Sequence, residues 1–251
     1  MNNIRLFFKE SLSNNLTGKL NKDQSHYLIK VMRIKKGDNF NLFNENGEWV
    51  AHFESIKSGL VNFKLGKQIR SKEHKNELWL AFSPIKSNFF NFMIQKSTEL
   101  GVTNFIPIIF DRTIVRKINL DRLRKIVVEA SEQSNRINIP SIEEPTTLKK
   151  FLNKNQENIN LILTDLNSKT KKLDKNKLLS KSNCVIIGPE GDFSESERVE
   201  IGKFKGIYKL SLGENILRAE TAAISALSIV CLLYTSPSPR DDVISRMPSS
   251  A

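Results

Sequence analysis

Two stretches in the C-terminal half of the chain share one pattern, an apolar strand followed by a glycine loop and a helix. Val185-Ile186-Ile187 leads into the loop at 188–191, and the run at 207–212 leads into Gly213. β-Branched apolar runs of this kind are typical of interior strands in parallel sheets. Ligands of open α/β sheets bind beyond the carboxyl ends of such strands. Two glycine loops at neighbouring strand ends therefore predict a cofactor pocket.

The alternation of strands with helices extends back to residue 78. Apolar runs at 78–82, 105–109 and 161–164 alternate with helical patterns at about 88–100 and 120–135. This order predicts a mainly parallel sheet with helices on both faces. The loop at 188–191 is neither the glycine fingerprint of dinucleotide-binding folds nor a phosphate-binding P-loop, which argues against those two classes. Residues 78–230 are predicted to form one α/β domain.

Residues 1–70 follow a strand-rich pattern instead. Strands are predicted at 40–43, 49–53 and 60–65, and a short helix at 24–33. Asn46-Gly47 is a strong hairpin signal because both residues tolerate a positive φ. We therefore expect a small β-barrel-like module. The wholly polar segment 71–77 is predicted to be the linker to the α/β domain.

The net charge of +12 is concentrated at the N-terminal end, where the first 72 residues hold 13 Lys and Arg against 6 Asp and Glu. Such an excess favours a polyanionic partner, because side chains that neutralise phosphates release condensed counterions. A chain that is rich in Lys and Asn throughout would also carry an excess of positive charge without binding a polyanion. Charge alone therefore leaves nucleic-acid binding open.

Other sequence features limit the classes of protein to which this chain can belong. Cys184 and Cys231 are too few for a disulfide framework and lack partners at metal-ligand spacing, so no metal site is expected. No apolar run has transmembrane length, and residues 1–5 lack the apolar core of a signal peptide, which predicts a cytoplasmic protein. Residues 231–251 are rich in Pro and Ser and resemble translated vector or adapter sequence. We predict that they are a non-native or disordered tail.

Four blocks of the chain resemble one known family. The segments 188–194 and 210–222 are similar to the two signature blocks of the RsmE family, which methylates N3 of a uridine in 16S ribosomal RNA, and 95–102 and 129–136 match further blocks. The segments 5–8, 26–33 and 37–38 resemble the PUA-like RNA-binding domain of that family. The resemblance runs in order over about residues 4–230.

This resemblance implies a fold, a cofactor and partners. The implied fold is a SPOUT-type parallel sheet with a deep trefoil knot, a topology that periodicity alone does not reveal. The implied cofactor is S-adenosylmethionine, bound mainly by backbone groups. The implied partners are 16S rRNA or the 30S subunit and a second copy of the chain, with the last helix in the dimer interface.

The resemblance also implies site residues. The expected cofactor contacts are Gly188, Glu190, Gly191, Leu212, Gly213, Ile216 and Leu217. The chemistry of uracil, whose N3 must lose or share its proton before it attacks, adds Glu220, Arg218 and Arg136 as expected catalytic residues. Glu220 is the first choice of base for the N3 proton, and Glu132 is the next candidate. Either arginine is suited to a developing uracil oxyanion or to phosphate. The expected RNA contacts are Arg5, Arg33 and Lys96, although Lys96 and Glu99 are also spaced for an intrahelical pair.

Two alternatives stay open at this point. One is a SPOUT methyltransferase acting on another RNA position, such as a ribose 2′-hydroxyl or a tRNA. The other is a non-catalytic RNA-binding or assembly protein that retains the fold. It predicts RNA binding without affinity for the cofactor.

Overall fold

The computed structural model describes residues 4–72, 77–165 and 181–234, together with Leu173 and Leu178. Its contacts divide the chain into two units. The N-terminal unit comprises Met1–Lys75 and Lys125–Ile139, and the parallel-sheet unit comprises Asn76–Arg124 and Pro140–Ala251. In the described part of the chain, no helix combines the length and hydropathy needed to cross a lipid bilayer.

The N-terminal unit is built on a five-stranded sheet in the order β1-β3-β4-β5-β2. Its strands are β1 (Arg5–Phe7), β2 (Thr17–Lys19), β3 (Asn39–Asn44), β4 (Gly47–Lys57) and β5 (Leu60–Ser71). Strand β1 is parallel to β3, and the other neighbours are antiparallel. The short helix α1 (Lys22–His26) continues into a π-helical turn (Tyr27–Val31). This confirms the predicted strand-rich module with one short helix.

The hairpin predicted at Asn46-Gly47 joins β3 to β4. Asn44 pairs with Gly47 across the turn, and Gly47 has a φ of +143°. A Cβ at this position would collide with the carbonyl oxygen of Arg70 on β5. Glycine is therefore required both by backbone conformation and by the close approach of the next strand. Behind the hairpin the core is aromatic, with Phe63 in edge-to-face contact with Phe8 and Phe40.

The parallel-sheet unit has strands in the order β12-β10-β11-β6-β7-β8, and β9 also pairs with β7. All of these pairs are parallel. The strands are β6 (Leu78–Phe82), β7 (Asn104–Ile109), β8 (Ser141–Ile142), β9 (Thr146–Thr147), β10 (Ile159–Thr164), β11 (Ser182–Ile187) and β12 (Ile207–Leu210). The helices of this unit are α2 (Ser87–Glu99), α4 (Leu148–Asn155), α5 (Glu195–Gly202) and α6 (Ala219–Tyr234). Helix α3 (Leu120–Gln133) begins in this unit and belongs to the N-terminal unit from Lys125 onwards. The predicted parallel α/β architecture is confirmed.

The central strands are apolar because they are covered on both faces. Every residue of β11 from Asn183 to Ile187 is buried, and β10 is buried from Ile159 to Leu163. Helix α5 begins with a capping box, in which Ser194 and Glu197 each accept from the other's backbone N–H. That box fixes where the chain leaves the glycine loop after β11, since it satisfies N–H groups that the first helical turn leaves without partners.

Three predicted boundaries differ from the structure or lie outside it. Residues 125–139, predicted to belong to the α/β domain, group with the N-terminal unit. Helix α6 continues to Tyr234 and so includes the first four residues of the predicted tail; Leu232 and Leu233 are good helix formers and no proline follows before Pro237. In the predicted linker, Ser71 ends β5 and residues 73–76 lie outside the described residues, as do residues 235–251 of the tail. The domain limits at 70 and 78 stay a prediction.

Candidate active site

A cleft of ≈730 Å³ lies at the carboxyl ends of three neighbouring strands of the parallel sheet. Thr164 ends β10 and Asp165 follows it, Ile187 ends β11 and residues 188–190 follow it, and Leu212 lies after β12. The first residues of α6 form another wall, and Lys86 and Phe89 contribute from the start of α2. The glycine loops thus meet at one edge of the sheet, as their positions after parallel strands predict.

The glycines of the two loops are used in different ways. A Cβ on Gly188 would lie 2.9 Å from the ring of Phe193, so the strand end and this phenyl ring pack without space for a side chain. Gly213 has a φ of +137°, and a Cβ there would have no neighbour within 4 Å. Its requirement is therefore conformational rather than steric. Gly191 is less constrained, since its Cβ would only touch the side chain of Arg112 at 3.6 Å.

The loop after β11 is held in place by its neighbours. Arg112 donates to the carbonyl oxygen of Gly191 at 2.8 Å. Glu197 is 6% exposed and accepts from the backbone N–H of both Asp111 and Ser194, each at 2.8 Å. A buried carboxylate with two backbone donors is well satisfied. The cleft wall is therefore preorganised by hydrogen bonds rather than by apolar packing alone.

Charged side chains line the cleft around an apolar floor. Ile187, Leu212 and Leu217 supply apolar surface. The acidic lining residues are Asp165, Glu190, Asp192 and Glu220, and the basic ones are Lys86, Arg198 and Arg218. The guanidinium of Arg218 lies 5.4 Å from the centroid of the Phe89 ring. Within the described ranges, no three His, Cys, Asp or Glu side chains converge as a metal site would require.

Most of the expected cofactor and catalytic residues line this cleft. They are Gly188, Glu190, Leu212, Ile216, Leu217, Arg218 and Glu220. Gly191 and Gly213 belong to the same loops but are not among the lining residues. Arg136 belongs to the N-terminal unit and also lies outside the lining. The structure thus brings Arg218 and Glu220 together with the two glycine loops at one cleft.

Several residues that line the cleft are not identified by the sequence patterns. Asp165 follows β10 directly, at the same sheet edge as the two glycine loops. Its signal was available, because a polar residue at the end of a predicted parallel strand is a site candidate. Asp165 also pairs with Lys209 at 3.3 Å. Lys86 and Phe89 had no comparable signal, since only the packing of α2 brings them to the cleft.

Arg5, expected to contact RNA, is buried in the N-terminal unit and is 7% exposed. Its guanidinium donates to both carboxylate oxygens of Glu48, at 2.9 and 3.1 Å, and to the carbonyl oxygens of Ser131, Glu132 and Arg136 at 3.2, 3.1 and 2.8 Å. Glu48 is itself 1% exposed. A guanidinium with this many internal acceptors has no donor left for a phosphate, so the structure corrects the assignment of Arg5 to RNA binding.

Arg5 therefore anchors the end of α3 instead. A second bond reinforces the anchor, because the backbone N–H of Phe7 donates to Glu132 at 2.9 Å. Burial raises the pKa of Glu132 to about 7, although the bond from Phe7 lowers it. This network explains why residues 125–139 group with the N-terminal unit.

The other two expected RNA contacts lie on the surface. Arg33 is exposed at the end of the π-helical turn, with a φ of +55°. Lys96 on α2 donates to both carboxylate oxygens of Glu99, at 2.8 and 3.0 Å. The intrahelical pair that the spacing allowed is therefore present, which leaves Arg33 as the more accessible cation.

Comparison with known proteins adds independent evidence. A family model described as an RNA methyltransferase domain matches residues 72–231, and one described as an RNA methyltransferase PUA domain matches residues 20–65. The ribosomal RNA small subunit methyltransferase E of Rickettsia conorii is 36% identical over 233 residues, covering 91% of this chain and 95% of that protein. The protein of that name from Buchnera aphidicola subsp. Schizaphis graminum is 33% identical, covering 92% of this chain and 96% of its own.

Solved structures agree with the sequence matches. The crystal structure of a ribosomal RNA small subunit methyltransferase E from Neisseria gonorrhoeae, bound to S-adenosyl methionine, superposes with a TM-score of 0.83 at 27% identity and covers 92% of this chain and 97% of that one. The two family models define the class of this protein, an RNA methyltransferase with a PUA domain in its N-terminal part, and the parallel sheet with its strand-end cleft agrees with that class. The chain belongs to the ribosomal RNA small subunit methyltransferase E family.

Proposed function

We propose that this protein transfers a methyl group from S-adenosylmethionine to N3 of a specific uridine in the 16S rRNA of the small ribosomal subunit. The observation that carries the proposal is the cleft, in which Arg218 and Glu220 stand beside the two cofactor loops. The names of the relatives and the bound ligand of the gonococcal structure support the same reaction class.

The residues of the cleft fit the proposed cofactor. Its volume is within the about 300–1,000 Å³ typical of small-molecule sites. Ile187, Leu212 and Leu217 offer apolar surface to an adenine ring, and the carboxylates of Asp165 and Glu190 suit the cationic amino group or sulfonium. Gly188 and Gly213 leave the loop backbones free of side chains, as recognition by backbone groups requires. We therefore assign cofactor contacts to Gly188, Glu190, Gly191, Leu212, Gly213, Ile216 and Leu217.

The chemistry of uracil defines what the protein must do. N3 carries a proton and is a poor nucleophile until that proton is shared or removed. Bound S-adenosylmethionine supplies a methyl group already activated for displacement. Within the described ranges the Glu220 carboxylate has no ion-pair or hydrogen-bond partner, so it is available to accept the N3 proton. Arg218 donates to a uracil oxygen as negative charge develops there.

The finer features of the family extend the proposal. We propose the trefoil knot, a cytoplasmic location and a homodimer. Leu232 on α6 is 72% exposed and Phe92 on α2 is 48% exposed, and apolar surface of this kind favours a second copy of the chain. Arg136 belongs to the N-terminal unit, where a phosphate contact suits it better than catalysis. The substrate is naked 16S rRNA or the assembled 30S subunit.

The test compares methyl transfer from labelled cofactor to 30S particles and to naked 16S rRNA, with the modified base identified by mass spectrometry. N3-methyluridine in digests of the product is the expected result. Methylation of a ribose 2′-hydroxyl, or RNA binding without cofactor affinity, would favour one of the two alternatives.

Glu220→Gln tests the assignment of the base. The variant is expected to bind cofactor normally and to lose roughly 10²-fold or more in turnover, the usual scale for general-base removal. Partial rescue by raised pH is expected, because solvent then deprotonates N3. Glu195→Gln on α5 is the matched control, since that exposed carboxylate lies outside the cleft lining. Near-normal turnover of Glu220→Gln at neutral pH would make Glu220 structural.

A further inference from the structure

The loop between β7 and α3, residues 110–119, is joined to the segment after β11 by three hydrogen bonds. We call it the Arg112 loop. Arg112 donates to Gly191, Asp111 donates through its backbone to Glu197, and the Asp111 carboxylate accepts from the Ser194 hydroxyl at 2.6 Å. Inside the loop, Thr113 accepts from the backbone N–H of Phe110 at 2.8 Å. These bonds hold the first part of the loop, residues 110–113, beside the loop after β11.

The second part of the loop presents exposed side chains next to this anchored part. Ile114 is 73% exposed, a large exposed fraction for an apolar side chain. Arg116 and Lys117 are exposed, and in the described part of the chain neither makes an ion pair. The single acidic residue of the loop, Asp111, is occupied by Ser194. The surface presented outward is therefore cationic with one apolar projection.

The position of the loop connects it to the cleft. Arg112, Ile114 and Val115 line a small crevice together with Lys86, Pro189 and Glu190. The last three residues also line the large cleft. A nucleic-acid strand whose base enters the cleft over this rim passes directly across the Arg112 loop.

We propose that the Arg112 loop is an RNA-docking surface of the parallel-sheet unit. Arg116 and Lys117 contact phosphates on either side of the target nucleotide, and Ile114 packs against the face of a neighbouring base. This inference rests on the proposed RNA methylation and adds a contact surface within the catalytic unit itself. Phosphate contacts position a strand without reading its sequence, so the loop sets the register in which a base reaches the cleft.

RNA fits this surface better than a protein partner does. A protein-docking surface of useful size needs a contiguous apolar patch, whereas Ile114 is the one strongly exposed large apolar residue of the Arg112 loop. Unpaired cations next to a single apolar group match the alternation of phosphate and base along an unpaired strand.

The test is direct RNA binding by the full chain, without cofactor, using a fluorescein-labelled single-stranded RNA that contains uridine. The double variant Arg116→Ala/Lys117→Ala is expected to bind about tenfold more weakly, and its plot of log K against log salt should be shallower by about 1.4, which is 0.7 for each of two lost phosphate contacts. Ile114→Ser should weaken binding without changing that slope.

Lys149→Ala/Lys150→Ala is the matched control. It removes the same charge from exposed residues of α4 in the same unit. The proposal is overturned if the control and Arg116→Ala/Lys117→Ala bind RNA with equal affinity and equal salt slope. The loop would then bind a protein partner or have no binding role. The docking surface and the proposed reaction can fail independently of each other. If RNA binding depends on the loop but no N3-methyluridine is formed, the docking surface is supported and the proposed function is contradicted.

Discussion

Arg5→Ala is expected to destabilise the N-terminal unit rather than to weaken phosphate contacts. The substitution removes five hydrogen bonds and leaves Glu48, which is 1% exposed, without its closest cation. Breaking a buried ion pair by removing one partner costs about 3–5 kcal/mol, because the remaining charge stays desolvated.

Two features of the site move the expected loss towards the lower end of that range. Arg70 also contacts Glu48, at 3.4 Å, and Asn41 donates to it at 2.7 Å. The Glu48 carboxylate therefore keeps partial compensation after the substitution. A loss of about 3 kcal/mol is a large part of the about 5–15 kcal/mol that stabilises an ordinary domain.

Tryptophan fluorescence follows this unit selectively. Of the two tryptophans in the chain, Trp49 is buried in the N-terminal unit and Trp79 belongs to the parallel-sheet unit. In a Trp79→Phe background, urea unfolding monitored through Trp49 reports the free energy of unfolding of the N-terminal unit. Arg33→Ala is the matched control, because it removes an exposed arginine from the same unit.

The double variant Arg5→Met/Glu48→Leu separates the loss of the pair from the penalty of an unpaired charge. It is expected to recover much of the stability that Arg5→Ala loses, since replacing both ions by apolar groups is often close to neutral. If Arg5→Ala unfolds at the same urea concentration as Arg33→Ala, the network carries little stability and the reasoning fails.

Two further predictions concern pH and the second glycine loop. The pKa of Glu132 is raised from its ordinary value of 4.5 to about 7, so the folded state holds a proton that the unfolded state releases between these values. The free energy of unfolding should therefore fall as pH rises from about 4.5 to 7. The expected fall is roughly 1–2 kcal/mol after allowance for partial exposure of the carboxyl group. In urea titrations, Glu132→Gln should abolish this pH-dependent fall. Gly213→Ala should weaken cofactor binding about tenfold or more by calorimetry, because a φ of +137° costs about 1–3 kcal/mol for a residue with a Cβ.

Each of these two predictions has a control variant and a result that would contradict it. For Glu132, the reference is Glu129→Gln, which removes a neighbouring carboxylate from the same helix; an unchanged pH dependence in Glu132→Gln would mean that Glu132 is not the titrating group. For Gly213, the reference is Gly37→Ala, at a φ of +95° in the other unit and also without a neighbour within 4 Å of the added Cβ. Unaltered cofactor affinity in Gly213→Ala would remove the second loop from the binding site.

The parts of the fold that follow local rules were accessible from the sequence. Asn46-Gly47 determines a hairpin, Ser194 and Glu197 determine a helix start, and apolar runs that end in glycine determine the edge where a cleft forms. Each rule depends on residues only a few positions apart. For that reason sequence patterns are enough to place the cofactor loops, with Arg218 and Glu220 after them, at one site.

Long-range pairing explains what the sequence did not reveal. The resemblance of residues 5–8 to an RNA-binding domain predicts an RNA contact at Arg5. Its partner Glu48 is 43 residues away, and the carbonyl group of Ser131 is 126 residues away. No periodicity relates such positions. Helix α4 (Leu148–Asn155) escaped prediction for a different reason, since its eight residues are too few to establish an amphipathic pattern against their lysines and asparagines.

The strand order of the parallel-sheet unit has a consequence for how the enzyme matures. Strand β11 pairs with β6, where Val185 meets Leu80, and the cleft needs Lys86 from one end of the unit and Ala222 from the other. Pairings so distant in sequence slow folding, because closing long loops costs entropy before any contact is gained. During synthesis, therefore, the cleft stays incomplete until α6 has been made. We expect the nascent chain to lack methyltransferase activity until that point.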